Sequence, residues 1–232
     1  MARLLAVDTS AQRGSVALAV DDEVIVEHSD EPRSHTRLLE PMMNRLLARA
    51  GLRLNHLDGL AYGRGPGSFT GLRITAGVVQ GIAWGLDCPV VPVSSLAAMA
   101  LSVSPERGSV PVASALDARM GEVYWSCYRV SADRTLEVLV DDCLLLPGEL
   151  SLPSVADPDS WVGVGTGWQY RDAIAESMVS AMTLIDADVM PDAADVARLA
   201  LPELARGNTV DAVAVQPSYI RDDVGWQKTP GR

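Results

Sequence analysis

Two aspartates, Asp8 and Asp117, each close an apolar run (Leu4-Leu5-Ala6-Val7 and Val112-Ala113-Ser114-Ala115-Leu116) and each opens onto a turn. A carboxylate there could hold a metal-bound phosphate, or it could simply accept the backbone amides of its own turn. Hydroxyls follow the first aspartate at Thr9, Ser10 and Ser15, where turn amides could cradle an anion. The second leads into Ala118-Arg119-Met120, whose bulk stands where amides would need to approach a phosphate. A third candidate is Gly63-Arg64-Gly65-Pro66-Gly67, which runs into a helix N-terminus, a natural anion site. It lacks the Gly-Lys-Ser/Thr of a P-loop, and turn geometry alone accounts for its glycines. Asp8, Thr9, Arg64 and Arg73 are the candidates for nucleotide contact in an assembled complex.

The remaining side chains exclude more than they offer. The only lysine is Lys228, so a Schiff-base or Walker-type lysine is absent elsewhere. His28, His35 and His56 have no histidine at i, i+4, which argues against a zinc or iron site. Ser68 and Ser94 lie near no histidine in sequence, although catalytic triads assemble in space. Cys88, Cys127 and Cys143 lack CxxC spacing and read as buried thiols in a reducing cytoplasm. The net charge of −11 with no basic run leaves this chain a weak grip on RNA. A hydrophobic content of 48% suits a globular core, yet no apolar run reaches the roughly 18 residues of a membrane span. Asp8 comes too early for a secretory signal, so the expected location is cytoplasmic.

The elements that must position these groups follow from hydrophobic periodicity. Leu4–Val7, Val16–Val20 and Val24–Val26 read as three successive strands. Residues 35–50 read as a helix with Leu38, Leu39, Met42, Met43, Leu46 and Leu47 on a wide apolar stripe; Pro41 kinks it or marks its first turn. Leu57–Tyr62 is a strand, Ser68–Leu86 a helix, and Val90–Val93 a strand; Ser94 or Ser95 then caps a helix through Leu101. The pattern restarts with Val112–Asp117, Glu122–Trp125 and Leu136–Leu139, followed by a looser connection over 141–160. Trp161–Val164 is a strand, 169–181 a modest helix, Met182–Ile185 a strand and Asp192–Leu204 a final helix ending at Gly207; the tail from Val213 is extended. Matching Leu4…Asp8…Gly14…Val16 with Ala113…Asp117…Gly121…Val123 suggests an internal duplication. Two lobes, 1–104 and 105–232, follow from it.

The second helix carries Gly71, Gly77, Gly81 and Gly85, each costing roughly 1 kcal/mol against alanine. Gly77, Gly81 and Gly85 recur every four residues on one face, where a missing side chain admits another backbone. That face, flanked by Leu72, Ile74, Val78, Val79 and Ile82, together with Leu38, Leu39, Met42, Met43 and Leu46 of the preceding helix, is the expected partner surface. About half of these residues cover the chain's own sheet in the competing account.

Asp8-Thr9-Ser10, the run Ala61-Tyr-Gly-Arg-Gly-Pro-Gly-Ser-Phe-Thr-Gly-Leu-Arg73, Asp117-Ala-Arg-Met-Gly-Glu-Val-Tyr124, Gly165-Thr-Gly-Trp-Gln169 and Pro217-Ser-Tyr-Ile-Arg221 with Trp226-Gln-Lys228 resemble the TsaB (YeaZ) family over essentially the whole chain. The resemblance implies an α/β, actin-like/Hsp70-like (ASKHA, ribonuclease H-like) fold of two duplicated lobes, each a mixed sheet with flanking helices. It implies a non-catalytic subunit of tRNA threonylcarbamoyladenosine biosynthesis that pairs with the homologous transferase TsaD and also self-associates as a homodimer. The ATPase TsaE would join through the complex and tRNA would be met only indirectly. No cofactor is implied for the isolated chain, ATP or ADP only for the assembled complex. Where the catalytic relative carries a metal-binding His-x-x-x-His, this sequence has Ser95 and Met99. It also lacks a glycine-glycine adenosine loop before its last helix. The alternative is an autonomous ATPase or metallo-glycopeptidase of the same superfamily.

Overall fold

A computed structural model describes residues 2–21, 23–31, 35–106, 108–154 and 160–221. The first half runs β1 (Arg3–Asp8), β2 (Gly14–Val20), β3 (Glu23–Ser29), α1 (His35–Arg49), β4 (Gly59–Gly65), α2 (Phe69–Leu86), β5 (Val90–Ser94) and α3 (Ser95–Leu101). Its sheet has the order β3-β2-β1-β4-β5, antiparallel across the first three strands and parallel from β1 through β4 to β5. The second half runs β6 (Ser109–Asp117), β7 (Val123–Ser131), β8 (Leu136–Leu145), β9 (Trp161–Val164), α4 (Glu176–Ser180), β10 (Met182–Asp186) and α5 (Ala193–Arg206). Its sheet reads β8-β7-β6-β9-β10, with the same antiparallel and parallel pairings strand for strand. The duplication thus extends to topology, and the architecture is the actin-like, ribonuclease H-like one.

β1 is buried on both faces, and its period of two divides it between two cores. Leu5 and Val7 face α1 and α2, where they meet Leu39, Met42, Leu46 and Val79. Leu4 and Ala6 face α5, against Ala193, Val196, Ala197 and Ala200. α5 therefore covers the sheet of the other half. α3 does the converse: all seven of its residues are buried, and Leu96, Met99 and Leu101 pack on Val112, Tyr128, Val130 and Val164 of the second sheet. α3 ends at Leu101 and the first strand of the second sheet begins at Ser109. A boundary of 1–104 against 105–232 nonetheless cuts through both packing units, because each half supplies a helix that seals the other.

Local differences from the sequence reading have local causes. The helix expected over 169–181 is a 3-10 segment, Thr166–Ala173, followed by the short α4. Trp168 Nε1 donates to Ala113 O (3.1 Å) and the indole meets Trp125 edge-on (centroids 5.9 Å), which holds this stretch down on β6. β8 continues to Leu145, where a loose connection was expected, after the β7–β8 ladder shifts register beside Cys127. α1 runs from His35 straight through Pro41, which sits beyond its first turn. Asp192 is the N-cap of α5 and Gly207 its left-handed C-cap. The tail contains a turn at Ala212–Ala214 and then runs on to Arg221; Trp226, Gln227 and Lys228 lie outside the described residues.

Candidate functional site

The strand-end turn of Asp8 is sealed. Pairing of Val7 with Tyr62 brings Asp8 beside Gly63, and a side chain at Gly63 would start 1.7 Å from Asp8 Oδ2. Gly67 and Gly71 approach as closely: a Cβ on either would fall 2.4 Å from Ser10 O or 1.8 Å from Thr9 O. The glycines of the 61–73 run thus let loop and helix close over Asp8-Thr9-Ser10. Ser10 donates to Asp8 Oδ1 from both its amide (2.9 Å) and its hydroxyl (2.8 Å), and Ser68 N donates to Ser10 O (2.7 Å). Thr9 Oγ1 donates to Gly71 O (2.7 Å) and meets Thr75 Oγ1 (2.6 Å). Asp8 Oδ2 is fully buried with no hydrogen-bond partner among the described residues, and burial raises this carboxyl to about 6 despite the bonds from Ser10. Asp8 and Thr9, expected as nucleotide contacts in an assembled complex, are fully buried in this conformation.

The two arginines expected beside them serve different ends. Arg64 reaches across to the second half and pairs with Asp142 (3.3 Å), whose other oxygen accepts from Tyr128 OH (2.9 Å) and Ser94 Oγ (3.0 Å). Burial, then the neighbouring Asp142 charge, pushes the Tyr128 phenol well up. Arg73 lies over the Phe69 ring (3.7 Å) and donates to Tyr219 OH (2.9 Å) on the surface. Asp117 accepts from Arg119 N (2.8 Å) and Tyr170 OH (3.0 Å), so both strand-end aspartates bind their own turns.

Among the described residues no hydrogen bond joins a candidate serine to a histidine. Ser68 and Ser94 cap α2 and α3, and His28 Nε2 pairs with Asp192 (2.6 Å). Among the described residues no three His, Cys, Asp or Glu side chains gather as metal ligands. Ser95 and Met99 are buried in α3.

The expected partner surface splits in two. Leu39, Met42, Met43, Leu46 and Leu72 are buried in the chain's own structure, as are Leu47 and Val79, and present nothing to a partner. Leu38, Ile74, Val78 and Ile82 pack against the same core with part of each side chain uncovered. Among the described residues nothing lies within 4 Å of a Cβ added at Gly77, Gly81 or Gly85. Around them stand four large apolar side chains that the sequence reading passed over: Phe69 (53% exposed), Trp84 (71%), Val213 (72%) and Tyr219 (48%). Gly77, Gln80, Gly81, Trp84, Ala212 and Val213 line a groove of about 440 Å³. Large side chains beside a bare helical backbone suit the docking of another polypeptide.

Comparison with known proteins places this geometry. Residues 28–227 match the family model described as "TsaD: tRNA N6-adenosine threonylcarbamoyltransferase". The tRNA threonylcarbamoyladenosine biosynthesis protein TsaB of Escherichia coli is 38% identical, over 99% of both chains. TsaB of Haemophilus influenzae is also 38% identical, over 99% of this chain and 98% of its own. The structure of YeaZ from Pseudomonas aeruginosa superimposes with a TM-score of 0.85 at 40% identity, covering 94% of this chain and all of that one. The chain belongs to the TsaB family. In this TsaB-family chain the long glycine-rich motif has a structural explanation, since Gly63, Gly67 and Gly71 close on the Asp8 turn. The glycines beyond it, Gly77, Gly81 and Gly85, make no such close approach to any of the described residues. Among the described residues no helix is long and apolar enough to cross a membrane.

Proposed function

We propose that this chain is a non-catalytic scaffold of tRNA N6-threonylcarbamoyladenosine biosynthesis, which docks and activates the homologous catalytic subunit TsaD through the outer face of α2. One observation carries the reading: three glycines that sacrifice about 3 kcal/mol of helix propensity face open space between exposed aromatic side chains. Among the described residues nothing offsets that cost, whereas a partner backbone laid along the row would. The same face supports self-association as a homodimer. The isolated chain has no cofactor of its own in this reading, because Asp8 and Thr9 are covered and Arg64 is engaged by Asp142. ATP or ADP would sit only in the assembled complex, with Arg73 as the exposed candidate contact. TsaE would join through the complex, and a chain of net charge −11 would meet tRNA indirectly in the cytoplasm.

The test is Gly81→Leu. Open space at this position predicts a folded protein, stabilised by roughly 0.5–1 kcal/mol through loss of a helical glycine. Co-elution with TsaD should fall away. Global unfolding, or undiminished co-elution, overturns the docking surface. Stoichiometric metal or steady ATP turnover by the isolated chain overturns the scaffold role.

A further inference from the structure

One stretch of the tail runs from the edge of the first sheet, past the α2 groove, to a turn of the second sheet. After Gly207 the chain pairs with the edge of the first sheet, where Val210 and Val90 exchange both backbone bonds (3.0 and 2.8 Å). Ala212 and Val213 then form the wall of the groove opposite Gly77 and Gly81, held there by Gln80 Nε2 donating to Ala212 O (3.0 Å). Val215 is buried, and Tyr62 OH bonds both the carbonyl (2.9 Å) and the amide (3.2 Å) of Gln216. Ser218 N donates to Arg64 O (2.7 Å), on the residue whose guanidinium reaches Asp142 of the second half. Tyr219 lies against Phe69 (centroids 5.8 Å).

Arg221 completes the crossing. Its guanidinium donates to Ala118 O (3.1 Å) and to the Glu122 carboxylate, on either side of the turn that joins β6 to β7. That turn is an unusual anchor. Arg119, Met120 and Gly121 all have left-handed backbone (φ of 64°, 58° and 78°), and two of them are not glycine. Left-handed non-glycine residues persist only where surrounding contacts hold them. Asp117 holds the Arg119 amide from one side and Arg221 grips Ala118 and Glu122 from the other.

We propose that residues 208–221 form a conformational strap, clasped to the second half by Arg221 and Glu122, which sets the position of Val213 and so couples the α2 groove to the β6–β7 turn. The interactions from Val210 to Arg221 form one continuous series, so freeing the far end loosens the rest as a unit. A partner seated in the groove would feel the state of a turn that it does not touch, through a two-state element that both sites bias. This coupling rests on the docking reading above; the strap itself does not.

The experiment uses the full chain and Arg221→Ala, with Glu122→Gln as a second variant that keeps shape and weakens only the ion pair. Amide hydrogen exchange should be about tenfold faster across 209–218 in R221A, with smaller gains in E122Q and unchanged protection in α2 and β1. Faster exchange confined to residues beyond 218 would overturn the strap. If R221A loses protection throughout, the E122Q pattern decides. For coupling, the dissociation constant for TsaD should rise several-fold in R221A. An unchanged constant beside a loosened strap refutes the coupling. No binding by the wild type refutes the docking reading instead, and with it the coupling; the strap then stands or falls on exchange alone.

Discussion

Replacing Asp8 by asparagine tests whether this aspartate is a ligand-holding group or a sealed one. Its carboxyl is wholly buried and raised from 3.8 to about 6, chiefly by desolvation, with Ser10 opposing the shift and the Asp192 charge adding to it. A displacement of a little over two pH units corresponds to about 3 kcal/mol at roughly 1.4 kcal/mol per unit. Because the folded state holds the proton more tightly, it binds more protons than the unfolded chain between about pH 4 and 6, and stability falls as pH rises through that window. The penalty is complete above about pH 6 and absent below 3.8. Asparagine keeps an Oδ1 for the two Ser10 donors but does not titrate. Its amide occupies the place of the unpartnered Oδ2, at a pH-independent cost of about 1–3 kcal/mol. Urea unfolding at a series of pH values between 4 and 8 should therefore show the stability difference, D8N minus wild type, rising by about 3 kcal/mol. Parallel curves, or a difference that falls with pH, would refute the claim that Asp8 is buried without a compensating charge. They would restore the case for an ionised carboxylate poised for a phosphate-bound metal.

Gly71→Ala places a methyl 1.8 Å from Thr9 O, a backbone atom that cannot swing aside, so the variant should lose several kcal/mol by urea denaturation. Trp84→Ser should leave stability within about 0.5 kcal/mol, the indole being 71% exposed, while weakening co-elution with TsaD. Cys127 is buried, with its thiol pushed well up by burial, so it should resist a thiol reagent in the native protein and react only on unfolding; labelling analysed by mass spectrometry decides this. Calorimetry should show a single unfolding transition for both halves, because α3 and α5 are exchanged between them; two resolved transitions would contradict that packing.

The strands and caps were legible because their signals are local. Alternating or continuous apolar runs end at Asp8 and Asp117, and Ser94, Asp192 and Gly207 sit where helix termini need them. The sealing of Asp8 was not legible, since Asp8 and Gly63 meet only through the register of β1 on β4. The stripe on α1 gave its period but not its neighbours, and Leu39, Met42, Met43 and Leu46 are buried against the first sheet and its helices. Phe69 could have been found. It stands in the same every-fourth row as Arg73, Gly77, Gly81 and Gly85, so an outward glycine face places it outward too. The helix exchange lay beyond sequence reasoning altogether: an all-apolar segment such as Ser95–Leu101 announces burial on every side, but not which sheet provides it.

That exchange bears on what kind of machine this is. Here each sheet is covered by a helix from the opposite half, and α3 and α5 also pack on one another. Arg64 adds an ion pair with Asp142, and the tail adds a further tie at Glu122. Opening the halves would expose most of two hydrophobic clusters, far more surface than a small ligand could compensate. The strand-end turn that would grip a phosphate is meanwhile packed against Gly63, Gly67 and Gly71. The two halves are therefore tied together by exchanged helices, an ion pair and the tail, and the glycine face that the described residues leave uncovered lies outside, along α2. That uncovered face of α2 is the surface on which the proposed docking rests.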